Sequence, residues 1–226
     1  MNAVSMVQSI NYASERLRQE GPIPVYQYLI ELGAKFSEFG GPPDEYIDPV
    51  KAYEENPEDG MVELHFAGFK YGLSFCIELG QMYIFGAIDD DEESKNRLCA
   101  GTLLDLIEKI IPRFSFAFGY FDMEGYDDFT DEAVSATQLK KIYWANFFGE
   151  PYVKKYGKEF LLGAPGYKKA ELADGTIEYI LTEDLFTPPD LSLERKIQEY
   201  FAPKAKVERF IPGPIVRLVI DKNRKS

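Results

Sequence analysis

Three short apolar runs follow one another between residues 62 and 88, and they set what the chain can become. Residues 62–66 alternate, with Val62, Leu64 and Phe66 toward one side and Glu63 and His65 toward the other. Period two is the pattern of a half-buried strand. Residues 73–79 alternate too, with Phe75, Ile77 and Leu79 directed inward. Gly80-Gln81 is a tight connection to MYIFGAI at 82–88, which is nearly all apolar, as in a central strand. Links this short suit antiparallel neighbours rather than parallel ones, which need long crossovers.

Helical periods surround this block. Residues 4–19 read as a weak helix, with Val7, Ile10 and Leu17 on one side. Residues 24–39 read as a stronger one, with Pro24 in its first turn and Val25, Tyr28, Leu29, Leu32, Phe36 and Phe39 in step with 3.6 residues. The polar stretch 44–60 reads as surface loop with room for a short helix. A helix at about 95–111 carries Leu98, Leu103, Leu106 and Ile110 on one face, and Pro112 is expected to stop it. RFSFAFGYF at 113–121 is an aromatic strand, and 122–135 reads as loop.

The second half restarts the pattern. KIYWANFF at 141–148 is a strand and EPYVKKYGKEFLL at 150–162 a helix. Residues 167–172 and 176–182 form a hairpin around Asp174-Gly175. Asp190 is placed to cap a helix at 191–201, and a last extended segment carries Ile215, Val216, Leu218, Val219 and Ile220. The expected fold is α+β, with antiparallel sheets and helices on one face. The C-terminal half is expected to be ferredoxin-like, in the order βαββαβ. The expected organisation is an N-terminal half at 1–121, an acidic linker at 122–139 and a C-terminal half at 140–226, the two halves readable as a pseudo-repeat.

Charge narrows the function classes. The 226 residues hold 38 acids against 25 bases, a net −13. Such a field disfavours nucleic acid and anionic membrane as partners and favours a basic protein. The N-terminus lacks the features of a secretory leader, no run is long enough for a membrane span, and two cysteines fit a reducing compartment, so a cytoplasmic location is expected. His65 is the single histidine, and Glu63 shares its strand face. The pair can be read as a base oriented by a carboxylate, or as an exposed pair on a solvated face. No nucleophile motif accompanies it. Cys76 and Cys99 have no metal-ligand spacing, so no metal and no cofactor are expected. Trp144 reads as core, and Asn146 as a buried amide that needs partners.

The acids are concentrated. Asp89, Asp90, Asp91, Glu92 and Glu93 form one run, and Asp122, Glu124, Asp127, Asp128, Asp131 and Glu132 a second. Neither has the glycine of a calcium-binding EF-hand loop at its sixth position. Tyr120, Tyr126 and Phe129 interleave with the second run. Aromatic anchors with a charged rim suit a protein interface, so these fourteen residues are the expected partner-binding surface.

A strand ending in Trp144, Asn146 and Phe147 is followed by a helix with Val153, Gly157, Leu161 and Leu162, then by a hairpin turning at Asp174-Gly175. This segment, about 140–200, resembles the C-terminal half of immunity proteins associated with type VI secretion effectors and related bacterial toxins. The resemblance implies a cytoplasmic protein with no catalysis of its own, which blocks a cognate toxin by binding it. The alternatives are a hydrolase-like enzyme using carboxylates with His65, and a structural subunit of a homo-oligomer.

Overall fold

In the computed structural model, residues 5–42, 45–57, 61–88, 92–123 and 131–205 are described. The first half runs β1 (Ser5–Tyr12), α1 (Glu15–Glu20), α2 (Ile23–Glu31), β2 (Lys35–Glu38), β3 (Tyr46–Ile47), α3 (Pro49–Glu55), β4 (Met61–Phe66), β5 (Phe69–Cys76), β6 (Gln81–Ile88), α4 (Glu93–Phe114) and β7 (Phe118–Met123). The second runs α5 (Asp131–Ser135), β8 (Ala145–Phe148), α6 (Glu150–Tyr156), α7 (Lys158–Leu162), β9 (Lys168–Glu171), β10 (Ile177–Ile180) and α8 (Leu191–Phe201). All ten strands join one sheet, in the order β3-β2-β4-β5-β6-β1-β7-β8-β10-β9. Every pairing is antiparallel.

Residues directly opposite across a ladder point to the same face. One row therefore crosses most of the sheet on one side: Phe75, Met82, Asn11, Gly119, Phe147, Glu178 and Ala170. Helix α4 lies on that side. Tyr71 donates from its hydroxyl to the Cys99 carbonyl at 3.0 Å, and Lys168 reaches Glu108 of α4 at 2.9 Å. Helix α2 covers the same side of the first half, where Tyr26 meets Phe36 and Phe75 edge to face. In the second half the helices cover the other side. Tyr152 of α6 stacks on Phe118 at 5.1 Å, and Phe201 of α8 packs on Tyr179.

This corrects the expectation of helices on one face: each half covers a different face of a shared sheet. The expected linker is also partly ordered into elements, because β7 extends to Met123 and α5 occupies 131–135. Pairing of β7 with β8 carries the sheet across it without a break.

Several local expectations change. Residues 5–12 form strand β1, not a helix. Its helix-covered face carries Val7, Ser9 and Asn11, all fully buried, so burial alternates but hydropathy does not. The helix expected to reach Phe39 ends at Glu31, and Gly33, with φ 92°, turns the chain into β2. Helix α4 continues through Pro112 to Phe114, because in the last turn the missing N–H costs one bond at most. Leu98, read as part of its buried face, is 63% exposed. The helix at 150–162 is two, broken at Gly157, whose φ is also 92°. The hairpin about Asp174-Gly175 and the Asp190 cap form as expected, with Asp190 accepting from the Leu193 amide at 2.7 Å. The segment 215–220 lies outside the described residues.

The join between β8 and α6 is tight. The Gly149 amide donates to the Ala117 carbonyl at 3.0 Å, and a Cβ there would press on the Phe116 carbonyl oxygen. That neighbour is backbone and cannot swing aside. Gly149→Ala should therefore destabilise the protein by about 2–4 kcal/mol, read as a lower midpoint in urea unfolding.

Candidate functional site

Strands β6 and β7 both run antiparallel to β1, so they run parallel to each other and finish at the same end of the sheet. Ser5 pairs with Ile88 and Val7 with Met123 at that end. The two strand ends flank the start of β1, about 10 Å apart by two strand spacings. Each leads directly into one acidic run. The two runs are separated by 28 intervening residues, between Glu93 and Asp122, yet the strands that lead to them finish at the same end. Glu92 and Glu93 are exposed there, and each is ion-paired on its own helix, Glu92 with Lys95 at 2.6 Å and Glu93 with Arg97 at 2.7 Å. Glu132 is exposed on α5, which Asp131 begins. Asp89, Asp90, Asp91, Glu124, Tyr126, Asp127, Asp128 and Phe129 lie outside the described residues.

Two members of the expected surface are interior groups. Tyr120 is 1% exposed, with its ring parallel to that of Tyr143 at 3.8 Å. Asp122 is half-buried and accepts from the Trp144 amide at 3.2 Å and the Met123 amide at 2.7 Å. It ties the end of β7 to the approach to β8. An aromatic strand flanked on both sides spends its tyrosine on packing, and its terminal aspartate on orphan amides.

The His65 pair is part of a larger cluster on the face that no described helix of the first half covers. His65 Nε2 lies 3.0 Å from Glu63 Oε1 and 2.9 Å from Ser37 Oγ. Ser37 also donates to Glu63 at 3.1 Å, and Lys70 to the same carboxylate at 2.9 Å. Tyr46 meets the imidazole edge to face at 5.3 Å. A serine–histidine–carboxylate relay needs the hydroxyl on one ring nitrogen and the carboxylate on the other. Here both contacts fall on Nε2, so the cluster works as a polar clamp joining β2, β4 and β5. Burial pushes the Glu63 carboxyl up, but hydrogen bonds from Lys70 and Ser37 and the charges of Lys70 and His65 outweigh it, and the group is held below the usual carboxylate range. Ser37 was hidden from sequence reasoning because 24–39 reads as one helix.

Other expected features resolve as packing. Asn146 is fully buried and satisfied: its Nδ2 donates to the Tyr143 carbonyl at 2.8 Å, and its Oδ1 accepts from the Tyr143 amide at 3.0 Å. Trp144 donates to the Thr182 carbonyl at 3.1 Å and packs on Phe121. Cys76 and Cys99 are both free thiols. Among the described residues no group of three or more histidine, cysteine or acidic side chains is placed to hold a metal ion, and no helix is long and apolar enough to cross a membrane.

One cluster was not singled out from the sequence. Glu178, in the apolar strand TIEYILT, is buried against Lys168 and Glu108 of α4. Its signal was a charged residue at an inward position of an apolar strand. Comparison with protein-family models, with curated proteins and with solved structures gives no match.

Two outcomes check these placements. Tyr120→Ala should lower stability by about 3–5 kcal/mol, a loss belonging to the interior and measurable by denaturant unfolding. The depressed Glu63 carboxyl contributes stability that is present above its unfolded-state titration and lost as pH falls through its folded one. Lys70→Met removes the charge that holds it down, so a carbon-13 titration should show Glu63 protonating at higher pH than in the unaltered protein.

Proposed function

We propose that this chain is a non-catalytic binding protein, an immunity protein that neutralises a cognate bacterial toxin by covering it. The observation that carries the reading is topological: β6 and β7, each followed in sequence by an acidic run, finish at one end of the sheet on either side of β1. Eleven acids belong to those two runs. A concentrated field of one sign steers a basic partner and raises its rate of association. The partner-facing groups are Glu92, Glu93 and Glu132 with the rest of the two runs, while Tyr120 and Asp122 support the strands beneath.

The fold reading accompanies it. In the second half the order β8-β10-β9, with helices between, is that of the first three strands of a ferredoxin-like unit. In the first half β7-β1-β6-β5 follows the same scheme, with β2, β3, α3 and β4 as an insertion. We read the chain as two such units sharing one sheet.

Genetics tests the function directly. Deleting the gene from a strain that expresses a toxin encoded beside it should arrest growth, and deleting both genes should restore it. Tolerated deletion of this gene alone, with the toxin active, would overturn the reading. With the purified toxin, replacing Glu92, Glu93 and Glu132 by Gln should slow association by about 3–10-fold at low salt, an effect that fades as salt screens the field.

A further inference from the structure

We propose that Glu178, Glu108 and Lys168 form a proton-operated latch, which holds α4 onto the β9–β10 hairpin while the buried Glu178 carboxyl keeps its proton and loosens when that proton leaves. Glu178 sits in β10, with its side chain 1% exposed and directed at the α4 side of the sheet. Lys168 Nζ lies 2.9 Å from Glu178 Oε2, 3.2 Å from Glu178 Oε1 and 2.9 Å from Glu108 Oε1. Glu108 and Glu178 thus face one shared ammonium group. Lys168 neutralises one negative charge. Ionising the second carboxyl leaves an uncompensated charge in the interior, which is strongly unfavourable.

The groups facing Glu178 can be named from each packed element. Strand β9 supplies Lys168, helix α4 supplies Glu108 with Lys109 beside it, and β8 opposes it with the apolar Phe147. Burial and the Glu108 carboxyl raise Glu178 to about 7, against the pull of Lys168. Glu108 is held low: burial pushes it up, but its contacts with Glu178 and Lys168 and the charges of Lys168 and Lys109 outweigh that. The Glu178 side chain is 1% exposed against 26% for Glu108, so the proton resides on Glu178. A carboxyl raised in the folded state contributes stability that is complete below its unfolded-state value and is lost as pH rises through the folded one. The window runs from about 4.5 to about 7.

The single histidine, His65, lies on the opposite face of the sheet, and Glu194 of α8 is a second carboxyl raised by burial and by Asp190. A second tie between α4 and the second half is Arg97, paired with Asp184 and lying over Phe186.

Thermal unfolding of the full chain from pH 5 to pH 8 tests the latch. The unaltered protein should lose about 4–8 °C of Tm over that range. Glu178→Gln, which keeps the neutral form, should lose less than half as much, and His65→Gln should lose as much as the unaltered protein. Amide exchange in β9 and β10 should quicken about 10-fold beyond its intrinsic pH dependence between pH 6 and pH 8, and not in Glu178→Gln. An equal fall in Glu178→Gln, or a flat profile in the unaltered protein, overturns the proposal. If that variant does not fold, a carbon-13 titration of Glu178 in the unaltered protein decides: a midpoint in the ordinary carboxylate range overturns it, and one near 7 supports it.

Discussion

Strand β7 is the piece on which both halves depend. It pairs with β1 on one side and β8 on the other, so it closes the first half and opens the second. Its two faces are covered by different helices, α4 on one side and α6 on the other. On the α6 side Phe118 meets Tyr12, Phe148 and Tyr152, and Tyr120 stacks on Tyr143. Each such ring pair adds about 0.5–1.5 kcal/mol beyond the area it buries. On the α4 side a side chain at Gly119 would collide with Asn11. The strand therefore tolerates bulk on one face and none at the centre of the other. That asymmetry sets where α4 can lie.

Because the halves cover opposite faces, one face of the first half has no described helix over it. Tyr83, Phe85 and Ile10 are half-buried there by their own neighbours, and the polar clamp of Ser37, Glu63, His65 and Lys70 lies on the same face. Phe85 lies over Gly72, where a Cβ would meet its ring, and Phe39 meets it edge to face. The sheet shields this surface largely with its own side chains, which is how an antiparallel sheet faces solvent on one side.

How far the sequence foretold this depends on which forces it displays. The strands β4 and β6 were legible because alternation and short turns are local signals, whereas β5 runs over Phe69–Cys76 rather than 73–79, and Leu79, expected inward, is exposed in the turn that follows. The β9–β10 hairpin and the Asp190 cap were legible because Asp174-Gly175 and a capping aspartate act within a few residues. Strand β1 was not, because Ser9 and Asn11 face a helix added 80 residues later, and their burial is a tertiary fact. The break at Gly157 was hidden inside a good helical period. The acidic residues could be named from sequence, but not that the strands leading to them, β6 and β7, finish at one end of the sheet. Tyr120 looked like an anchor because a tyrosine beside acids reads the same in an interface and in a core. Only the stack on Tyr143 separates the two.

The buried polar groups then follow a single logic. Asn11 and Glu178 lie in the same cross-sheet row, both under α4. Asn11 donates to Ser9 at 3.1 Å, while its Oδ1 has no hydrogen-bond partner and faces the space that Gly119 leaves. Such an acceptor costs about 1–3 kcal/mol. Glu178 would cost more if ionised and alone, so it is met by a lysine from its own hairpin and an acid from α4. The same helix thus covers a fixed polar defect in the first half and a titratable one in the second. A fixed defect weakens the fold equally at every pH. A titratable one makes the grip of α4 on the second half depend on a proton, in a chain whose single histidine is already committed to the opposite face.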